Sequence, residues 1–93
     1  MNLIQALDNG YHLLKMNNIS SYKIDTELLL TKCLNISKEK LILNLERKID
    51  SKLYKKFVEK LERRKAREPI AYILNQKEFW KYDFYVDKNV LIP

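Results

Sequence analysis

The residues best suited to bind a partner are the cations of a basic segment, residues 47–67. This segment holds ten Lys or Arg against three acids, whereas residues 1–46 are neutral overall and residues 68–93 carry a net charge of −1. An arginine guanidinium can bind a carboxylate or a phosphate through two parallel hydrogen bonds, which a lysine ammonium cannot do. We therefore predict a partner-binding set within this segment, made up of Arg63, Arg64, Arg67, Lys56 and Lys60.

Three interpretations of this basic segment stay open. It could be a solvated helix face whose lysine stems cover apolar surface, with arginines that complement the helix dipole. It could dock an acidic protein. It could also contact nucleic acid or the ribosome, as the net charge of +6 suggests.

No residues have the spacing of a catalytic, cofactor-binding or metal site. The chain has one histidine, His12, one cysteine, Cys33, and no glycine-rich loop that could hold a nucleotide or a methyl donor. We interpret His12 as a surface or capping residue and Cys33 as a small core residue. A single cysteine predicts a reducing, cytoplasmic setting, and no apolar run approaches the ~20 residues of a membrane span.

Five helices must position these residues. The hydrophobic spacing predicts helices at about 2–16 and 22–34, a short third one after Ser37, a fourth after Asp50 and a short fifth through Leu74. Ser21, Ser37 and Asp50 are predicted N-caps, and Asn35 is predicted to close the second helix in the left-handed conformation.

The apolar stripes of these helices predict the core. In order along the chain they are Ile4, Leu7, Tyr11 and Leu14; Ile24, Leu28, Thr31 and Leu34, widened by Leu29, Leu30 and Cys33; Leu41, Ile42 and Leu45; and Leu53, Phe57, Val58 and Leu61. The opposite face of the fourth helix is predicted to be solvated, with Lys52, Lys55, Lys56, Glu59, Lys60 and Arg63.

Strand-forming aromatic residues follow Asn75 and predict a β-hairpin, with strands at about 77–80 and 82–86. The fold class is thus an all-α bundle of about five helices with a C-terminal β-hairpin. Because two strands alone are marginal in water, we expect the hairpin to pack on the helices or on a further domain. The predicted interdomain residues are Phe79, Trp80, Phe84, Leu91 and Pro93; base stacking by the aromatics is the alternative.

The chain also carries four ordered motifs: Arg63-Arg64, Glu68-Pro69-Ile70-Ala71-Tyr72-Ile73, Glu78-Phe79-Trp80 and Val90-Leu91-Ile92-Pro93. In their order and spacing, these motifs resemble the end of the N-terminal domain of the HemK/PrmC family. Members of that family use S-adenosylmethionine to methylate the side-chain amide of a glutamine in bacterial peptide chain release factors. Their helical N-terminal domain leads through a β-hairpin into a Rossmann-like catalytic domain.

The resemblance implies that residues 1–76 form a substrate-recognition domain and that residues 77–93 form the hairpin and the start of a linker. A chain that ends at Pro93 is then expected to be part of a longer protein, whose partners are a release factor and its own methyltransferase domain. A related methyltransferase with a different substrate is the alternative. The family usually has glycine at the positions of Arg67, Asn75 and Lys81, so the backbone at Arg67 and Lys81 must avoid positive φ or carry strain.

Overall fold

The structure, a computed structural model, describes residues 1–75. Five α-helices confirm the helical prediction: α1 (Leu3–Met16), α2 (Tyr22–Leu34), α3 (Lys38–Leu43), α4 (Ser51–Lys65) and α5 (Ile70–Leu74). Within this part of the chain there is no strand, and one isolated antiparallel bridge joins Asn2 to Lys48. The predicted hairpin and the interdomain residues Phe79, Trp80, Phe84, Leu91 and Pro93 lie outside the described residues.

Three of the four predicted caps form, and each satisfies backbone groups only a few residues away along the chain. Asn35 closes α2 in the left-handed region at φ 57°. The Ser37 hydroxyl accepts from the backbone N–H of the third residue after it at 3.1 Å, and the Asp50 carboxylate accepts from the N–H groups of Lys52 and Leu53. Ser21 stands at the N-cap position of α2 but makes no capping hydrogen bond.

The core lies where α1, α2 and α4 pack against one another, with α5 covering α2 and α4. Close approach of α1 and α2 requires glycine at position 10, because a Cβ there would lie 2.5 Å from Cγ2 of Thr26. The buried hydrophobic residues are Leu3, Ala6, Leu7, Leu14, Ile19, Leu29, Leu30, Leu41, Phe57, Leu61 and Ile73.

The buried face of α2 differs from the predicted one. Ile24 and Leu28, expected in the core, are 63% and 36% exposed, while Asp25 and Thr26 are buried beside Leu29 and Leu30. Asp25 can be buried because Arg64 of α4 pairs with it, and Thr26 packs where α1 presents a glycine. Because of these contacts with α4 and α1, the face of α2 that packs on the core is less hydrophobic than the predicted stripe.

Two other helices also bury fewer of the predicted apolar residues. Ile4 of α1 is 39% exposed and Ile42 of α3 is 57% exposed, whereas their neighbours Leu3 and Leu41 are buried. In α1 the buried stripe is shifted from Ile4 to Leu3, and in α3 it is narrower than predicted. No helix in residues 1–75 is long and apolar enough to cross a bilayer.

Candidate functional site

Arg64, one of the predicted binding residues, forms its contacts within the domain. Its Nε donates to Oδ2 of Asp25 at 2.8 Å, and its Nη1 donates to the backbone carbonyl of Glu68 at 3.0 Å. Ser21 donates its hydroxyl to the same oxygen of Asp25 at 2.7 Å. The Asp25 side chain is only 5% exposed, so this pair joins the end of α4 to the start of α2 in a poorly solvated place.

Arg63 is held by Glu68, five residues further along the chain. The guanidinium donates through Nε to Oε1 at 2.7 Å and through Nη2 to Oε2, which is the bidentate geometry of an arginine–carboxylate pair. This hydrogen bonding lowers the pKa of Glu68 and raises the pKa of Arg63. The pair bridges the turn between α4 and α5.

Arg67 ends α4 with a left-handed backbone at φ 76°. At this non-glycine position the backbone was expected either to avoid positive φ or to carry strain, and the structure shows the strained conformation. Its N–H donates to the carbonyl of Arg64 at 2.8 Å, and the next N–H donates to the carbonyl of Arg63 at 3.1 Å. The exposed guanidinium donates to the backbone carbonyl of Asn17 at 2.9 Å and so reaches the end of α1.

The prediction that Lys60 lies on the solvated face is wrong, because this residue is only 3% exposed. Burial and the nearby Arg63 lower the pKa of its ammonium, whereas Cys33 has the opposite effect. Burial raises the pKa of the Cys33 thiol to about 11, against the opposing effect of Lys60 and Lys56. A thiol with so high a pKa is protonated at neutral pH, which suits a packing role.

The five predicted binding residues therefore divide into two groups. Arg63, Arg64 and Lys60 are partly or fully buried and interact within the domain, whereas Lys56 and Arg67 are exposed. The binding role of all five stays a prediction. The contacts of Arg63, Arg64 and Arg67 fix the last turn of α4 and the segment that leads to α5.

A cleft that the sequence did not indicate lies at the opposite end of α4, next to its first turn. It has a volume of about 350 Å³ and is formed by the starts of α1 and α4, the end of α2, α3 and the loop from α3 to α4. Lys40, Arg47 and Lys48 are exposed around it. The apolar lining consists of Leu3, Leu34, Ile36, Ile49 and Leu53.

Arg47 and Lys48 are not among the predicted binding residues, because those residues follow from helical periodicity. Arg47 and Lys48 belong to the basic segment 47–67, and the excess of positive charge there was the available signal. They precede α4, however, so a helical projection assigns them to no face.

The described residues offer no ready metal centre. In residues 1–75 no three His, Cys, Asp or Glu side chains are grouped so that they could hold a metal ion. His12 is exposed on α1.

Comparison with known proteins yields one family match. Residues 5–74 match the sequence model of the PrmC N-terminal domain. The matched range includes almost all of α1 and the whole of the other four helices. No solved structure matches the chain significantly.

Several curated relatives are similar over most of the chain. A release factor glutamine methyltransferase of Leptospira interrogans is 35% identical over 98% of this chain, and one of Francisella tularensis is 41% identical over 78% of it. A bifunctional methyltransferase of Rickettsia felis is 38% identical over 96% of it. The chain covers 32%, 26% and 17% of these three relatives, respectively, and so spans about a third of their length or less.

Proposed function

The chain belongs to the family of PrmC N-terminal domains, and we propose that it is the substrate-recognition domain of a release factor methyltransferase. The parent enzyme would transfer a methyl group from S-adenosylmethionine to the side-chain amide nitrogen of a glutamine in a peptide chain release factor. The observation that carries this proposal is the family match over the five-helix domain. Relatives named release factor glutamine methyltransferase support it.

The chemistry of the reaction explains why such an enzyme needs a recognition domain. The nitrogen lone pair of an amide is delocalised into the carbonyl group, so the nitrogen is a poor nucleophile. The enzyme must therefore hold the amide in line with the methyl group of the donor, and precise positioning can supply several kcal/mol of the barrier reduction. A domain that grips the release factor away from the glutamine would contribute to this positioning.

In this proposal the helical domain, residues 1–76, binds the release factor, and residues 77–93 lead into the methyltransferase domain. S-adenosylmethionine is the cofactor of the parent and would be bound by that following domain. Phe79, Trp80, Phe84, Leu91 and Pro93 would pack between the two domains. The protein would act in the cytoplasm, where release factors work.

The end of α4 would contribute to binding in two ways. The exposed Lys56 and Arg67 would contact the partner directly. Arg63 and Arg64 would hold the end of α4 that presents Arg67, through their contacts to Glu68 and Asp25, and Lys60 would contribute as a buried residue of the same helix. Alanine substitutions of Arg63 or Arg64 would therefore disturb the fold as well as binding, whereas substitutions of Lys56 and Arg67 are the more specific probes.

The test is a methylation assay of the complete protein with S-adenosylmethionine and two substrates: the intact release factor and a short peptide that contains its glutamine. We expect methylation of the glutamine amide, located by mass spectrometry. The variant Lys56→Glu/Arg67→Glu should raise KM for the intact release factor with little change in kcat, and should leave the peptide kinetics unchanged. That pattern is the signature of binding that is remote from methyl transfer.

Other outcomes would contradict the proposal. Methylation of a different macromolecule, with none of the release factor, would assign another substrate to the enzyme. Tight RNA binding that falls steeply with salt would favour the nucleic-acid alternative. Equal effects of the substitutions on both substrates would remove the binding role of Lys56 and Arg67.

A further inference from the structure

We propose that the cleft between α3 and the first turn of α4 is a second docking site, which takes an acidic segment of the release factor that carries an aliphatic side chain. The inference rests on the proposed function and goes beyond it, since it names a separate surface and the chemistry of the segment that binds there. Three observations carry it: the charge of the rim, the lining of the cleft and the fixed backbone of its loop.

The rim of the cleft is positively charged. Lys40, Arg47 and Lys48 are exposed around it, and none of the three forms an ion pair with residues 1–75. The one acid of the lining, Asp50, already accepts two backbone hydrogen bonds as the N-cap of α4. The carboxylates of a bound segment could therefore pair with these cations without competition from an acid of the domain. Such complementary charges speed association and fix the position of the segment in the cleft.

Half of the residues that line the cleft are aliphatic. Leucine and isoleucine side chains from the starts of α1 and α4, the end of α2 and the adjoining loops line it, and no aromatic residue is among them. Its volume of about 350 Å³ suits a small group of side chains. Nucleic-acid sites that bind unpaired bases use aromatic side chains for stacking, so this lining favours a peptide over single-stranded RNA.

The loop that carries two of the cations is held in place by the start of α1. The carbonyls of Leu45 and Arg47 accept from the N–H groups of Ile4 and Leu3, both at 3.0 Å, and Ile49 donates its N–H to the carbonyl of Met1 at 3.1 Å. The first two bonds satisfy N–H groups that the first turn of α1 would otherwise leave unpaired. They also fix the loop before a partner arrives, which reduces the entropy lost on binding.

The test reverses two charges of the rim in the complete protein. The variant Arg47→Glu/Lys48→Glu is compared with Lys23→Glu/Lys55→Glu, which makes the same change in net charge at two exposed lysines outside the cleft. We expect the rim variant to raise KM for the intact release factor about tenfold, with kcat unchanged and the control within about twofold of the wild type. The difference should shrink as salt is raised, and the short peptide substrate should not distinguish the two variants.

Melting curves establish that both variants are folded before kinetics are compared. Equal KM values for the rim and control variants, with normal methylation of the release factor by the wild type, would overturn the docking site and leave the proposed function intact. Absence of methylation by the wild type would overturn both. Loss of RNA binding in the rim variant with unchanged KM would assign the cleft to nucleic acid and also overturn the proposal.

Discussion

At the scale of single residues, the main finding is how the arginines at the end of α4 are used. Arg63, Arg64 and Arg67 are predicted to bind a partner because arginine binds carboxylates well, and two of them have carboxylate partners within the domain. The residue type thus indicated the interaction correctly, but it could not indicate whether the acid belongs to a partner protein. Arg67 differs, since its side chain is exposed and its backbone has a positive φ.

The strain at Arg67 gives a residue-scale prediction. Left-handed backbone is unfavourable by roughly 1 kcal/mol or more for a residue with a Cβ, and glycine adopts it freely. Arg67→Gly and Arg67→Ala both lose the hydrogen bond to Asn17, so their difference isolates the backbone. We expect the free energy of unfolding, measured in urea, to be about 1 kcal/mol higher for Arg67→Gly than for Arg67→Ala. Equal stabilities would show that this residue does not adopt the left-handed conformation in solution.

At the scale of elements, α4 connects both candidate surfaces. Its first turn, capped by Asp50, borders the cleft, and its last turn carries Arg63 and Arg64. In between, Phe57 and Leu61 are buried against the other helices. A change at either end of α4 therefore has consequences for the geometry of the surface at that end.

The N-cap of α4 gives an element-scale prediction. Asp50→Ala removes the acceptor for two backbone N–H groups, which should lower the free energy of unfolding by about 1 kcal/mol. Asp50→Asn keeps an acceptor oxygen and should lose only a few tenths of a kcal/mol. Thermal or urea unfolding of the two variants checks this. If the two losses are the same, the charge of the aspartate and not its hydrogen bonding stabilises the helix.

At the scale of the whole molecule, the contact between α1 and α2 determines how the bundle closes. Gly10 of α1 faces Thr26 of α2, with Phe57 and Leu61 of α4 also close to the glycine. Helical periodicity predicts an apolar stripe on each helix but does not indicate which stripes pack against each other. The small residue at position 10 is what allows the helices to approach at this place.

This contact gives a prediction whose sign depends on the tertiary structure. In an isolated helix Gly10→Ala would stabilise by about 0.5–1 kcal/mol. In this fold the new Cβ meets Cγ2 of Thr26, so we expect the free energy of unfolding to fall, by roughly 1–3 kcal/mol. Thr26→Ala removes the clashing methyl group, and a double-mutant cycle should give a favourable coupling of about 1 kcal/mol or more. Strict additivity, or stabilisation by Gly10→Ala alone, would contradict the close packing.

The sequence by itself determined the number of helices, their approximate bounds, three side-chain or left-handed caps and the family. Helix periodicity and the caps at Asn35, Ser37 and Asp50 depend on residues within a few positions of each other, so they can be read along the chain. The family resemblance likewise rests on ordered motifs in the sequence.

The tertiary structure alone decided which faces are buried and which cations are available to a partner. Asp25 and Arg64 are 39 positions apart, and burial of the aspartate instead of Ile24 depends on that pairing. Lys60 looks solvated in a helical projection, but neighbouring helices cover it. Burial is a sum of contacts between residues that are distant along the chain, and local periodicity contains no information on which of two apolar faces will meet a complementary neighbour.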